Sequence, residues 1–340
     1  MAVSYEWFED LCGGLSKNPV AATKTLEQFR ESDVAVDACL FYISTPTISH
    51  VGMFQAASIL HRAAIVRWTS LAPEKREELR HKMIDSLSRL TANQSPTFVA
   101  NKVMQVCASI WKRGWLELTV ENRDSYFQFI QGLMQNPNTS KLATTQLRVT
   151  IEEFGQQSFA EINIQFTFHS DVKKAFQKDD LIKAFSIAVH PLNILFSWQD
   201  AASIAPHIPL MAELFKLLTE LITWNFNEDS LNSKNAIDDN SMQSSLSNKL
   251  PREWAEQLIS SLFVNNLFNM YQAFCSAPHT FNTDSTTLTN CALELRNLIL
   301  CLPTFDGPIF ATASEKLTFG NHILECAVKL VRGAIVRTEP

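Results

Sequence analysis

Four places in the chain carry residues that suggest chemistry. Glu152-Glu153 and Asp179-Asp180 are adjacent carboxylates, a residue type that works in pairs in general acid–base catalysis. Neighbouring positions on a helix point in different directions, so neither pair converges on one substrate atom. Solvated faces or helix caps are the roles expected of them. His169 stands before Lys173-Lys174 with no base partner in view, which reads as a structural histidine. Trp111-Lys112-Arg113-Gly114-Trp115 has the look of a basic–aromatic patch. A helix end explains it better, with its cations near the negative end of the dipole and Gly114 as a left-handed cap.

The motifs that usually carry catalysis are missing. There is no Walker A loop, no dinucleotide fingerprint, no His-Glu-x-x-His and no Gly-x-Ser-x-Gly. The eight histidines lack metal-ligand spacing. No enzyme activity, cofactor or metal is therefore expected. The sequons Asn93-Gln94-Ser95 and Asn138-Thr139-Ser140 read as chance matches, because Glu6, Glu9 and Asp10 interrupt the N-terminus where a signal peptide would be apolar.

Composition narrows the class. Of 340 residues 46% are apolar and 19% charged, enough to bury a large core. Only nine are glycine, too few for the tight turns and phosphate loops of doubly wound sheets, whereas helical hairpins need fewer. The net charge of −6 and the lack of a basic run argue against nucleic acid and suit a basic protein partner. Seven cysteines without a Cys-x-x-Cys spacing point to a reducing compartment, cytosol or nucleus. No apolar run reaches the length of a membrane span.

The elements follow from helical periodicity. Phe54, Ala57, Leu60, Ala64 and Trp68 line one face of a helix over 51–68. Pro73 opens a second, striped by Leu79, Met83, Leu87 and Leu90, and Pro96 a third, striped by Val99, Val103, Val106, Ile110 and Trp111. Further helices are expected over 34–45, 123–135 (Phe127, Ile130, Met134), 139–155 (Leu142, Gln146, Val149, Phe154), 179–196, 209–225, 252–275, 284–302 and 314–333. The Ser/Asn-rich stretch 227–250 reads as a disordered loop. Residues 162–168 alternate with period two and read as an extended connector packing Phe166 and Phe168 on the helices.

Two helices thus occupy about 40–47 residues, the period of HEAT-type repeats, which leaves room for roughly seven pairs. One pair cannot bury its stripe alone, but stacked neighbours can. The expected fold is an all-α superhelix of HEAT/armadillo-type repeats, forming one solenoid over 1–340. Its segments are about 15–115, then hairpins over 116–226 and 251–335.

Gln28-Phe29-Arg30, Phe54-Gln55-Ala56-Ala57 and Arg67-Trp68 resemble the N-terminal region of importin-β-superfamily transport receptors. Later blocks, in order, resemble the export receptors of that superfamily. They are Trp111-Lys112-Arg113-Gly114, Phe166-Thr167-Phe168-His169 with Lys173-Lys174 and Phe176, Thr223-Trp224-Asn225-Phe226, Leu250-Pro251-Arg252-Glu253-Trp254, and Gly307-Pro308-Ile309-Phe310. Asp306 departs from the family pattern, which has a histidine before the last block.

The resemblance implies a receptor that binds Ran-GTP and protein cargo, such as a hypusine-bearing translation factor or Smad-type proteins. It would pass Phe-Gly nucleoporins and shuttle between nucleus and cytoplasm, with no direct nucleic-acid contact, membrane insertion or cofactor. Members of the family are much longer chains, so these residues are expected to form an N-terminal part. In the family the second helix of each early hairpin faces Ran. Subtracting the core stripes leaves Asp37 and Phe41, then Glu78, His81 and Asp85, then Asp124, Gln128 and Gln131 as Ran-binding candidates. The competing classes are a repeat scaffold independent of Ran and a helical enzyme with an enclosed cleft.

Overall fold

Helices begin where a short polar side chain accepts a hydrogen bond from the first turn. In the computed structural model, which describes residues 4–92, 95–156, 166–198, 200–226 and 247–335, Ser4, Ser49, Thr119, Ser260 and Asp284 all play this part. The fold is all-α. It divides into two compact units, Met1–Lys173 and Lys174–Pro340.

The first unit contains α1 (Tyr5–Lys17), α2 (Pro19–Arg30), α3 (Ala35–Ser44), α4 (His50–Val66), α5 (Pro73–Ala92), α6 (Thr97–Gly114), α7 (Val120–Gln135) and α8 (Ser140–Gly155). Helices α4, α6 and α8 pack in a row. α3 sits on α4, α5 on α6 and α7 on α8, with α3 also against α5. The expected stripes of α5 and α6 are buried throughout. In α4, Phe54 is only half-buried and tilts against Phe98 at 5.8 Å. Around the end of α6, Trp111 meets Tyr126 at 4.7 Å and Trp115 meets Phe154 at 4.9 Å.

α9 (Phe166–Asp179) carries the boundary between the units. The second unit continues with α10 (Leu181–Ser197), a short α11 (Ala201–Ile204), α12 (Ile208–Ile222), α13 (Ala255–Leu258), α14 (Ser261–Ser276), α15 (Ser285–Cys301) and α16 (Ala313–Ile335). α12 packs on α10 and α15, and α14 on α15 and α16. A two-residue strand β1 (Asn248–Lys249) runs parallel to β2 (Phe305–Asp306). The Leu250 N–H donates to the Asp306 carbonyl, the Ile309 N–H to that of Leu250, and Arg252 to that of Ile309. Gly307 has φ +82°, and a Cβ there would come within 3.2 Å of the Lys249 backbone, so only glycine fits.

Several expectations change. Phe166–Phe168 open a helix and are not an extended connector, while 162–165 lie outside the described residues. Phe168 lies under the Arg113 guanidinium at 4.5 Å, and this cation–π contact gives the first turn a partner that a period-two pattern cannot reveal. Residues 227–246 of the expected loop lie outside the described residues, but 247–250 are ordered by the strand pairing. The helix expected over 252–275 breaks at Ile259-Ser260, because the Ser260 hydroxyl accepts from the Phe263 N–H and starts α14 afresh. In α8 the buried face is Ala143, Gln146, Leu147, Thr150, Ile151 and Phe154, with Leu142 and Val149 half-buried. Gln146, expected on the stripe, and Thr150, not expected there, both bond the buried Tyr126 hydroxyl, so polar atoms hold core positions.

Gly114 is not a left-handed cap. Its φ is −90°, and the chain runs on into the 3-10 turn Trp115–Glu117. Glycine is needed for space: a Cβ would stand 2.6 Å from Arg80 Nη1 and 3.0 Å from the Trp68 ring. The arginine can move, but the buried indole cannot. Gly114→Ala is therefore expected to destabilise the protein by about 1–3 kcal/mol through overpacking, read as a lower urea midpoint at unchanged slope.

Candidate interaction face

Two helices place the first group of candidates on one surface. Asp37 and Phe41 are one turn apart on α3, and both are exposed, Phe41 by 64%. Glu78, His81 and Asp85 follow the same spacing on α5, with Glu78 half-buried and the other two exposed. Lys75 joins the helices, with its Nζ 2.6 Å from Asp37 and 2.7 Å from Glu78. These two hydrogen bonds hold its ammonium above the usual lysine range. Asp37 and Glu78 therefore share one cation and are not isolated negative charges.

His81 Nε2 lies 2.9 Å from Glu77 Oε1, and Glu77 also binds Arg80, which holds its carboxyl below the usual range. Asp85 stands exposed near the end of the row. The second group sits on α7, which packs on α8 as α5 packs on α6. Gln128 and Gln131 are exposed there and Asp124 is half-buried. The structure thus brings Asp37 and Glu78 together through Lys75 and places Asp124, Gln128 and Gln131 on the next helix of the same kind.

Behind this face lies a polar cluster that periodicity does not reveal. His61 of α4, Ser109 of α6 and Glu153 of α8 are buried in the helix row. His61 Nε2 is 3.0 Å from Ser109 Oγ, which donates to Glu153 Oε1 at 2.9 Å. Lys102 Nζ approaches His61 Nδ1 at 3.1 Å. Only one tautomer fits: Lys102 donates to Nδ1, and Nε2–H donates to the serine oxygen. Every proton then points towards Glu153. A serine, a histidine and a carboxylate are all present, but in the wrong order for nucleophilic catalysis. There the acid orients the histidine, whereas here it accepts the serine's hydrogen bond and a lysine holds the histidine. Ser109 is 1% exposed, so no substrate reaches it.

The remaining chemical suggestions become structural too. Glu153 is buried rather than on a solvated face, and Glu152 is half-buried beside Arg148. Asp180 occupies the cap position of α10 but is fully buried and pairs with Lys183 at 2.8 Å. His169 is buried, as a structural histidine would be. Lys112 and Arg113 do not serve their own helix end. Lys112 is fully buried and donates to the carbonyls of Glu153 and Gln156 at the end of α8, while Arg113 donates to that of Ala64 in α4. His61, Ser109 and Lys102 escaped the sequence reading. Their one visible signal was a polar residue inside an apolar run, as Ser109 is between Val106 and Trp111.

Among the described residues no three His, Cys, Asp or Glu side chains group as metal ligands, and no helix is long and apolar enough to cross a membrane. No protein-family model matches the chain.

Burial, reinforced by the nearby Lys102 charge, pushes the His61 pKa down to about 3. The unfolded chain takes up that proton first on acidification, so stability is fully present above the ordinary histidine value and is lost as pH falls towards the folded one. Between pH 7 and pH 5 the imidazole should cost the native state about 2 kcal/mol. His61→Gln is expected to be less stable at pH 7 but to lose about that much less over the same interval, measured by urea unfolding at both pH values.

Proposed function

We propose that the chain is the Ran-GTP-binding N-terminal part of an exportin-4-type nuclear export receptor, built from HEAT/armadillo-type repeats. The observation that carries this reading is a repeated helix ending. α4 closes with Arg67-Trp68 and α6 with Arg113-Gly114-Trp115. In both, the arginine donates to carbonyls at the end of an earlier helix (Glu31 and Ser32, then Ala64), and the tryptophan starts a 3-10 turn and is buried. The two tryptophans stand 47 residues apart. That spacing is one HEAT period.

Stacked repeats leave one helix of each pair free to meet a partner. Here the free side carries Phe41, an aromatic that would lose much water-exposed area on binding, beside Asp37, Glu78, His81 and Asp85. Acidic and aromatic groups suit the basic and apolar surface that Ran is expected to offer. Asp124, Gln128 and Gln131 extend the surface along α7. The receptor would load Ran-GTP with cargo in the nucleus, cross Phe-Gly nucleoporins, and release cargo in the cytoplasm when GTP is hydrolysed. A repeat scaffold independent of Ran is the second reading. The Lys75 bridge favours it, since a face that neutralises its own carboxylates is also what plain solvation produces.

Immobilised chain is expected to retain Ran loaded with a non-hydrolysable GTP analogue and not Ran·GDP. Phe41→Ala and Asp85→Arg, both at exposed positions, should each weaken retention at least about fivefold without lowering the melting temperature. Equal retention of the two nucleotide forms, or of neither, favours the scaffold reading.

A further inference from the structure

A second cluster of polar side chains lies in the second unit, between α14 and α16. His322 and Cys326 stand one turn apart on α16, so both project from the same face. That face packs on α14, where Asn265 meets them. Cys326 Sγ lies 3.3 Å from Asn265 Oδ1 and 3.9 Å from His322 Nε2. Cys326 is buried, while His322 and Asn265 are half-buried. Neither His322 nor Asn265 makes another hydrogen bond or ion pair among the described residues. Three polar side chains from two helices thus converge with only one another for partners.

A thiol, an imidazole and an amide oxygen make a donor set that suits a borderline-soft divalent cation. Positions i and i+4 are the spacing by which one helix offers two ligands to zinc. The distances fit as well. Zinc bonds are about 2.3 Å to sulfur and about 2.1 Å to nitrogen or oxygen. With those lengths, 3.9 Å between Sγ and Nε2 corresponds to an angle of roughly 125° at the metal. The 3.3 Å between Sγ and Oδ1 corresponds to roughly 95°. The two values bracket the tetrahedral angle, so the side chains need only small adjustments. An entry path exists, since His322 also lines a cleft of about 790 Å3 beside residues 252–261. Glu325 and Lys329, both exposed, flank the thiol with opposite charges.

We propose that Cys326, His322 and Asn265 form a zinc site that clips α16 to α14. The thiol proton passes to solvent as Sγ takes the metal, and His322 Nε2 gives its lone pair. The Asn265 oxygen is the third donor, and water completes the four-coordinate shell. The pair on α16 is one histidine and one cysteine, so a search for spaced histidines passes over it. The site is on the second unit and does not rest on the Ran reading, whose candidates all belong to the first.

Titration of the whole chain with Co2+ and then Zn2+, under reducing and chelator-free conditions, tests it. Cobalt should raise a thiolate-to-metal charge-transfer band that saturates at one ion per chain, and zinc should displace it. Cys326→Ser should abolish the band. His322→Ala and Asn265→Ala should each weaken cobalt binding at least about tenfold, the loss that follows removal of even an outer-shell partner. Zinc should raise the melting temperature of the parent and leave that of Cys326→Ser unmoved. Each protein is compared with itself, with and without metal, so a difference in basal stability does not blur the result. Absence of the band, a band that persists in Cys326→Ser, binding equal to the parent in His322→Ala or Asn265→Ala, or a parent melting temperature indifferent to zinc would each overturn the proposal.

Discussion

Helix carbonyls need donors, and a stack of short helices has many ends to satisfy. The last turn of each leaves carbonyl oxygens with no partner inside the helix, and at a packed end water cannot reach them all. This protein meets the demand with long cationic side chains sent from a later helix to an earlier one, or back from a following turn. Arg67 reaches Glu31 and Ser32 after α2, Arg89 reaches Ile43 and Ser44 at the end of α3, and Arg113 reaches Ala64 in α4. Lys112 runs forward instead, into α8. Each places positive charge where the helix dipole is negative, so the contact contributes both a hydrogen bond and a favourable field.

That arrangement also explains the polar atoms inside the first unit. A fully buried lysine would be costly beside hydrocarbon alone. Lys112 has carbonyl partners, and the carboxylate of Glu153 lies 4.0 Å away. Glu153 in turn accepts a hydrogen bond from the Ser109 hydroxyl, and Ser109 is supported by His61. The helix row therefore carries a polar thread from α4 through α6 to α8. Its members must align to within hydrogen-bond tolerance, and this fixes how α4, α6 and α8 slide past one another.

Periodicity made most of the helices legible, because residues such as Leu79, Met83 and Leu87 repeat at the spacing of a buried face. It failed where side-chain polarity and burial disagree. In α8 the expected stripe holds at Gln146 and Phe154 but misses Thr150, whose polar side chain is buried on the Tyr126 hydroxyl, and counts Leu142 and Val149, which are half-buried. Phe168 alternated like a strand because its partner, Arg113, lies far away in sequence. The candidate face was readable as a list of residues left over from the core, while the bridge that ties Asp37 to Glu78 was not, since it depends on how α3 and α5 meet. The break at Ser260 was hidden for a related reason: a serine within a run rich in aromatic residues does not announce one.

Gly114 shows what the backward reach of these side chains means for dividing the chain. The space above it is filled by Arg80 and Trp68, and the Trp68 indole N–H donates at 3.0 Å to Glu117, beyond the end of α6. The Trp68 ring just after α4 is thus held by a residue two helices later, as the end of α4 is sealed by Arg113. A truncation placed in the loop after α5 would look clean by secondary structure. It would strip the preceding pair of its donor, its acceptor and part of its cover. The natural cutting points of this protein are offset by one pair from its loops, and a shortened version is best ended only after the helix that finishes its neighbour.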